Sequence, residues 1–346
     1  MASPVHRYLF NFSSSFTGGG LIILKSYLDL FEEKGGAYFI LNDKLKNQFE
    51  GKYSKNKIFF VKIIKIKRLL NDQYYLKSIL KEIGSLKLYF SYGIPVYSKI
   101  AEVNWLHISN LIPINPSLSH LNYFSMAQMY LLGHRLKTNF KNVDILSADS
   151  QDGLDQSIKF FGKVTCKTKV LKNGVDGHFI SKKNNTKEPF AVTVGTQKYK
   201  DLTRLYHLFL KLKIKGEVKG LKIIGDPKSI PEKLKKDTSV HILGHLSHDQ
   251  VIDELAKAQV YISTSRIENS SIASLEGLYL CGSSYLSTIG SHFELIKDTG
   301  LSYETVQFEG LGELYKLDQQ VSESYIESIS WQNINNEFYQ HLQQNY

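Results

Sequence analysis

The chain has 346 residues, 42% of them hydrophobic and 22% charged, with a formal net charge of +10. These values exclude disordered and collagen-like classes, no apolar run reaches spanning length, and the length asks for two cores of about 150 residues each. Cys166 and Cys281 fall in different halves and outside any CxxC spacing, so neither a disulfide framework nor a zinc site is expected.

The opening stretch MASPVHRYLFNF has no long apolar segment ahead of its strand-like pattern. No signal peptide is expected, and the location read from the sequence is cytoplasmic. HRYLFNF, AYFILN, KIFFVKI, LKLYFSYG, VNWLHIS and DILSADS read as β-strands alternating with helical patterns, the grammar of a parallel sheet with crossover helices. Between the first two, GGGLIILKSYLDLFEEKGG places Leu21, Leu24, Leu28 and Phe31 at helical spacing, with Thr17 as expected N-cap and Gly35 and Gly36 as the stop.

Basic residues crowd the segment from Lys52 to Lys87, opposed only by Asp72 and Glu82. Two readings stand for this face: ordinary solvation, or attraction to an anionic membrane surface that would hold the protein on the inner face of the cytoplasmic membrane. A nucleic-acid partner is not expected, because no recognition motif accompanies the charge.

The polar run SKKNNTKEP, after KVTCKTKVLKNGVDGHF, marks the passage to a second domain. FAVTVGT, LKIIG, VHILG, QVYISTS and SSYLST then repeat the strand and helix grammar, and Leu202, Leu205, Tyr206, Phe209 and Leu212 line one helix face. The expected organisation is a first Rossmann-like domain over residues 1–165, a second over 166–325 and a closing helix over 326–346.

The sharpest chemical feature is SRIENSSIASLEGLYLCG, which follows the strand QVYISTS and spaces Glu268 and Glu276 with seven residues between them. In an open α/β sheet, ligands bind beyond the carboxyl ends of strands, where Glu268 falls. Glu276 lies about two turns into the next helix among apolar positions, where a carboxylate wants hydrogen-bond donors such as vicinal sugar hydroxyls. The first turn, around Asn269, Ser270, Ser271 and Ile272, leaves backbone N–H groups open to a phosphate. The bland alternative has Glu268 on the surface and Glu276 paired with a lysine.

The chain resembles family 4 of the retaining GT-B glycosyltransferases, the group 1 type that includes enzymes of bacterial surface polysaccharides. That family carries two glutamates with seven residues between them at this place in its second domain. FTGGG, with Gly18, Gly19 and Gly20, resembles its glycine-rich first loop; NGVD at Asn173 to Asp176 matches its interdomain motif; and VGTQKYKDLTRL resembles its basic phosphate-binding segment. Trp331 resembles the tryptophan that opens the family's last helix. Two departures stand out: Thr196 follows Gly195 where the family often has arginine, and ENSS replaces the common EGFG.

The resemblance implies an α/β GT-B fold, two Rossmann-like domains facing each other across a cleft, and transfer of a sugar from a nucleotide-sugar donor to a glycan or lipid-linked glycan acceptor. It also implies that Lys198 and Lys200 hold the diphosphate, Glu276 the ribose and Glu268 the transferred sugar, with neither metal nor cofactor. His107, ending VNWLHIS, is implied to touch the donor sugar, with a core histidine as the alternative. The chain has no DxD motif, and its glycine run is not the GxGxxG of a nicotinamide-dependent enzyme. Other readings are a catalytically degenerate binding protein and an enzyme acting on a protein or soluble glycan. Neither glutamate, if ligand-facing, is expected to matter for folding.

Overall fold

The computed structural model describes residues 7–16, 18–63, 75–116 and 122–346. Thr17, together with Lys65, Lys67 and Arg68 of the basic face, lies outside the described residues. The chain forms two compact units, one comprising the described part of 1–114, Ala127–Gly174 and Trp331–Tyr346, the other the described part of 115–126 and Val175–Ser330.

The first unit is a seven-stranded sheet in the order β3-β2-β1-β4-β5-β6-β7. Its strands are β1 (Tyr8–Asn11), β2 (Tyr38–Asn42), β3 (Lys57–Val61), β4 (Leu88–Tyr92), β5 (Val103–Ile108), β6 (Ile145–Ala148) and β7 (Lys167–Val170). Every pairing is parallel. Most of these crossovers run through helices, chiefly α1 (Gly19–Lys34), α2 (Leu76–Ile83), α3 (Tyr123–Asn139) and α4 (Gln151–Phe161), whereas β4 passes to β5 without one. β1 to β6 are the six strands read from sequence. β7 was not among them, and it carries the first unit past the expected boundary at residue 165 to Gly174. Its alternating Lys167 and Lys169 suit an edge strand, which is blunted by charge and lacks the apolar run of an inner one.

The core of this unit is aromatic. Phe10, Phe12, Phe39, Phe90 and Trp105 from the sheet meet Tyr27 and Phe31 of α1. The last helix supplies Phe338 and Leu342 to the same cluster. Phe338 stacks on Tyr27 with ring centroids 4.9 Å apart, and Asn335 Nδ2 donates to the Ser26 carbonyl at 3.1 Å. That helix starts at Trp331, whose ring lies so close to Gly174 that a Cβ there would approach to 2.7 Å. The glycine of NGVD and the tryptophan are thus two halves of one packing contact.

The second unit is a sheet in the order β10-β9-β8-β11-β12-β14-β13. Its parallel strands are β8 (Glu188–Val194), β9 (Gly220–Ile224), β10 (Val240–Gly244), β11 (Ala258–Ser263) and β12 (Ser283–Ser287). An antiparallel hairpin, β13 (Glu304–Phe308) and β14 (Gly312–Leu317), closes the edge and was not foreseen from sequence. The helices are α5 (Leu202–Ile214), α6 (His248–Lys257), α7 (Ile272–Leu280), α8 (Gly290–Thr299) and α9 (Glu323–Ser328); the final helix, α10 (Trp331–Asn345), belongs to the first unit.

In both sheets the strand order reverses beside the first strand of the unit, at β1/β4 and at β8/β11. That reversal opens a crevice at the carboxyl ends of the strands, because successive crossovers depart in opposite directions.

Candidate functional site

The loops leaving β8 and β11 flank the reversal in the second unit, and they carry the lysine and glutamate singled out by sequence. Lys200 Nζ lies 2.5 Å from Glu268 Oε1, with 11% and 10% of the two side chains exposed. Ser265 Oγ donates to the same carboxylate oxygen at 2.7 Å. Burial, the largest single influence, lowers the Lys200 pKa, but the charge and hydrogen bond of Glu268 together with Tyr199 and Tyr261 raise it by more, and the net shift is upward. The lysine is therefore held cationic in a nearly closed setting.

Local chemistry explains how Lys200 gets there. Gly195 has φ +95°, and a Cβ on it would come within 2.8 Å of Gln197 Oε1 and 3.0 Å of Lys200 Cε. Asp201 is the one non-glycine with positive φ among the described residues, at 50°. Such a conformation costs about 1–2 kcal/mol and needs support. Asp201 receives it from three sides. Its carboxylate caps α5 by accepting from Arg204 N at 3.2 Å, and it takes Arg266 Nη2 at 2.6 Å and Nε at 2.8 Å. Thr264 Oγ1 donates to the Lys200 and Asp201 carbonyls, and Arg266 N donates to the Tyr199 carbonyl at 2.8 Å. These bonds stitch the lysine segment to the Glu268 segment.

Beyond Glu268, Asn269 is buried and Ser270 is half-buried. Ser271 caps α7 by accepting from Ser274 N at 3.2 Å, so the N–H groups of Ile272 and Ala273 begin the helix without intrahelical partners. Ser271 Oγ also meets Ser274 Oγ at 2.7 Å. Ser274 Oγ in turn lies 3.3 Å from Nε2 of His292, a fully buried residue of α8. His292 Nδ1 donates to the Ser287 carbonyl at 2.9 Å, which leaves Nε2 as the acceptor for the serine hydroxyls. Burial pushes the imidazole down to about 4, so it stays neutral.

Glu276, two turns along α7, is 3% exposed. It pairs with a histidine rather than with a lysine: His248 Nε2 lies 2.7 Å from Glu276 Oε1. Both glutamates are thus bonded inside the protein, which argues against the expectation that they contribute little to folding. Lys198, by contrast, is exposed and forms no ion pair among the described residues.

The remaining candidates lie in the first unit. Gly18 is the N-cap of α1 with φ 63°, and Gly19 and Gly20 open that helix directly beyond β1. His107 is only 3% exposed. Its Nε2 donates to Asp149 Oδ1 at 2.9 Å, and its Nδ1 lies 2.9 Å from Ser147 Oγ, which also accepts from Trp105 Nε1 at 2.7 Å. Stacked on Phe90 and Tyr92, the ring has no free nitrogen for a sugar. With both nitrogens engaged inside the protein, the arrangement is that of the core-histidine alternative.

Sequence reasoning missed Asp201, Arg266, His248 and His292. The first had one visible signal, an aspartate immediately before an apolar helical pattern.

No protein-family model and no curated protein matches the chain. Solved structures do. Sucrose-phosphate synthase from Thermosynechococcus elongatus superposes with a TM-score of 0.70 at 11% identity, covering 98% of both chains. HepE from Anabaena, in complex with UDP-glucose, gives 0.61 at 14% identity over 97% of this chain and 99% of its own. WaaG, a glycosyltransferase involved in lipopolysaccharide biosynthesis, gives 0.61 at 13% identity over 94% of this chain and 90% of its own. Identities this low establish architecture alone, and the architecture is that of a GT-B protein built from two Rossmann-like units.

Proposed function

We propose that the chain is a retaining, metal-independent glycosyltransferase that moves a sugar from a nucleotide-diphosphate-sugar donor to a glycan acceptor. The observation that carries this reading is the buried Lys200–Glu268 pair at the strand-order reversal of the second sheet, next to the start of α7. A cation and unpaired helix N–H groups suit a diphosphate that gains negative charge as it leaves, and they need no metal for it. Lys200 supplies the charge, with Lys198 at the exposed rim. Glu268 accepts from hydroxyls of the transferred sugar, and Glu276 from the ribose. One structural neighbour, HepE, is described in complex with UDP and with UDP-glucose, which supports a nucleotide-sugar donor.

Retention follows from attack on the face that the leaving group occupies. The acceptor oxygen bonds to the anomeric carbon, the bond to the phosphate oxygen breaks, and that oxygen takes the acceptor proton. His107 has no part in this scheme.

The acceptor in this reading is a lipid-linked oligosaccharide of surface polysaccharide synthesis, met at an anionic membrane surface. Lys52, Lys55 and Lys62 are exposed, and α3 displays Tyr123, Phe124, Tyr130 and Leu131 to solvent. Exposed basic side chains suit an anionic headgroup layer, and exposed aromatic ones suit its interface with the acyl chains. Among the described residues no helix is long and apolar enough to cross a membrane.

The test is a thermal-shift screen with UDP-, GDP-, ADP- and TDP-sugars, followed by donor hydrolysis and transfer with EDTA present. One donor should raise the melting temperature, and turnover should survive chelation. Activity lost to EDTA and restored by Mn²⁺ or Mg²⁺ overturns metal independence. Failure of every donor to bind overturns the enzyme reading.

A further inference from the structure

Glu276 sits on the second turn of α7 with its carboxylate almost wholly withdrawn from water. Among the described residues, His248 is the one side chain hydrogen-bonded to it. A carboxylate offers about four lone-pair positions, so a single imidazole leaves most of its accepting capacity unused. His248 opens α6, next to the N-cap Ser247, whose capping box with Gln250 fixes the start of that helix. The imidazole therefore reaches Glu276 from a rigid frame, while about a third of its own side chain remains exposed.

We propose that His248 is a positioning residue for the nucleotide ribose, holding Glu276 Oε1 from α6 so that the other carboxylate oxygen is left to accept from the ribose hydroxyls. The inference rests on the donor site proposed above and adds its control. Protonated, His248 also offsets the negative charge of Glu276, which otherwise opposes an anionic donor.

The groups around His248 set how it titrates. Glu276 faces it from α7, Asp249 adjoins it on α6, and Asp176, which ends NGVD, and His178, two residues on, approach as well. His178 Nε2 is itself 3.0 Å from Asp249 Oδ1, and its ring centroid is 5.8 Å from that of His248. Donating to Glu276 raises the His248 pKa; burial opposes the shift, and the charges of Glu276, Asp176 and Asp249 add to it. A raised value means that the cation persists above the usual imidazole range and is lost as pH rises through the folded-state value. Donor affinity should follow the same course and decline toward alkaline pH.

The probe is whichever of UDP-, GDP-, ADP- or TDP-glucose gives the largest thermal shift; their diphosphate diesters have no group titrating near neutrality. Calorimetric titration from about pH 6 to about pH 9 should show the wild-type Kd rising roughly three- to tenfold. His248→Gln keeps an N–H donor without a titrating group, so its Kd should stay within about threefold of the low-pH wild type and lose the pH slope. His248→Leu should raise Kd about tenfold throughout, because Glu276 loses its partner. If His248→Leu binds like wild type with an unchanged slope while Glu276→Gln weakens binding, the role of His248 is overturned and the ribose assignment stands. If neither variant weakens binding, the ribose assignment itself falls. Should the Leu variant fail to fold by circular dichroism, the pH profile of the Gln variant decides: an unchanged wild-type slope overturns the proposal, and a flat one supports it.

Discussion

Replacing Glu268 with Gln removes one charge from the Lys200 pair and leaves its shape nearly intact. Deleting one partner of a buried ion pair costs about 3–5 kcal/mol, because the other charge stays behind uncompensated. The Gln amide oxygen still accepts from Lys200 Nζ and Ser265 Oγ, the two donors that meet the carboxylate oxygen. A hydrogen bond to a charged group recovers about 1.5–3 kcal/mol, so the net loss should be about 2 kcal/mol. In a protein of two domain-sized units that lowers the melting temperature by roughly 4–8 °C. The variant leaves a buried cation without its anion, so a bound donor diphosphate supplies the missing counter-charge. Its thermal shift by donor should therefore equal or exceed that of wild type. Turnover should nevertheless fall on the order of a hundredfold, since the lost charge faces the sugar that becomes electron-poor in the transition state. Differential scanning fluorimetry with and without donor, beside a steady-state transfer assay, measures all three quantities. A variant that melts within a degree of wild type and turns over equally well refutes both the burial argument and the assignment of Glu268.

Asp201→Ala should cost about 2–3 kcal/mol in urea unfolding and depress turnover, because it removes the α5 cap, frees Arg266 and puts a Cβ-bearing residue without local support at positive φ. Asp201→Asn, which keeps the cap and tolerates that conformation, should recover most of both; equal losses for the two variants would show that the charge held by Arg266, and neither the cap nor the backbone conformation, carries the effect. Gly195→Ala should weaken donor binding severalfold and cost about 1–3 kcal/mol, since its Cβ meets Gln197 and Lys200, and unchanged calorimetry would contradict the crowding. His292 is neutral when folded, with a pKa near 4 against 6.5 in the open chain. Its contribution is thus present above pH 6.5 and lost as pH falls to about 4, up to about 3 kcal/mol. His292→Gln should lose less stability than wild type between about pH 7 and about pH 4.5, as read from urea midpoints.

Strands buried on both faces announce themselves as continuous apolar runs, which is why YFILN, LYFSY and QVYIS were legible. β7 hid because an edge strand alternates lysines, and β13 hid because ETVQF carries polar residues at an outer hairpin. The spacing of Glu268 and Glu276 is a local pattern and was visible in the same way. Their partners were not. Asp201 meets Arg266 only because β11 lies beside β8 although β9 and β10 intervene in the chain, and His248 meets Glu276 because α6 and α7, on either side of β11 in the chain, pack together. No spacing rule carries that adjacency. His107 shows the converse: its position at the end of β5 was legible, whereas Asp149 and Ser147, which consume both of its nitrogens, come from β6 and the loop beyond it.

The aromatic core of the first unit is completed by Phe338 and Leu342, which leave the ribosome only after the whole second unit has been made. At ordinary translation rates of about 5–20 residues per second, the intervening 150 or so residues take on the order of ten seconds or longer. For that interval Phe10, Tyr27, Phe90 and Trp105 lack the rings that cover them in the finished protein. The second unit, continuous from Val175 to Ser330 apart from the 115–126 segment, has most of its own sequence in hand earlier. The nascent chain is therefore expected to finish its units in nearly the reverse of their order of synthesis, and to need chaperone cover on its leading half. A ribosome-stalled chain ending at Ser330 should show the first unit cleaved by protease faster than the second, and extension through Tyr346 should abolish the difference.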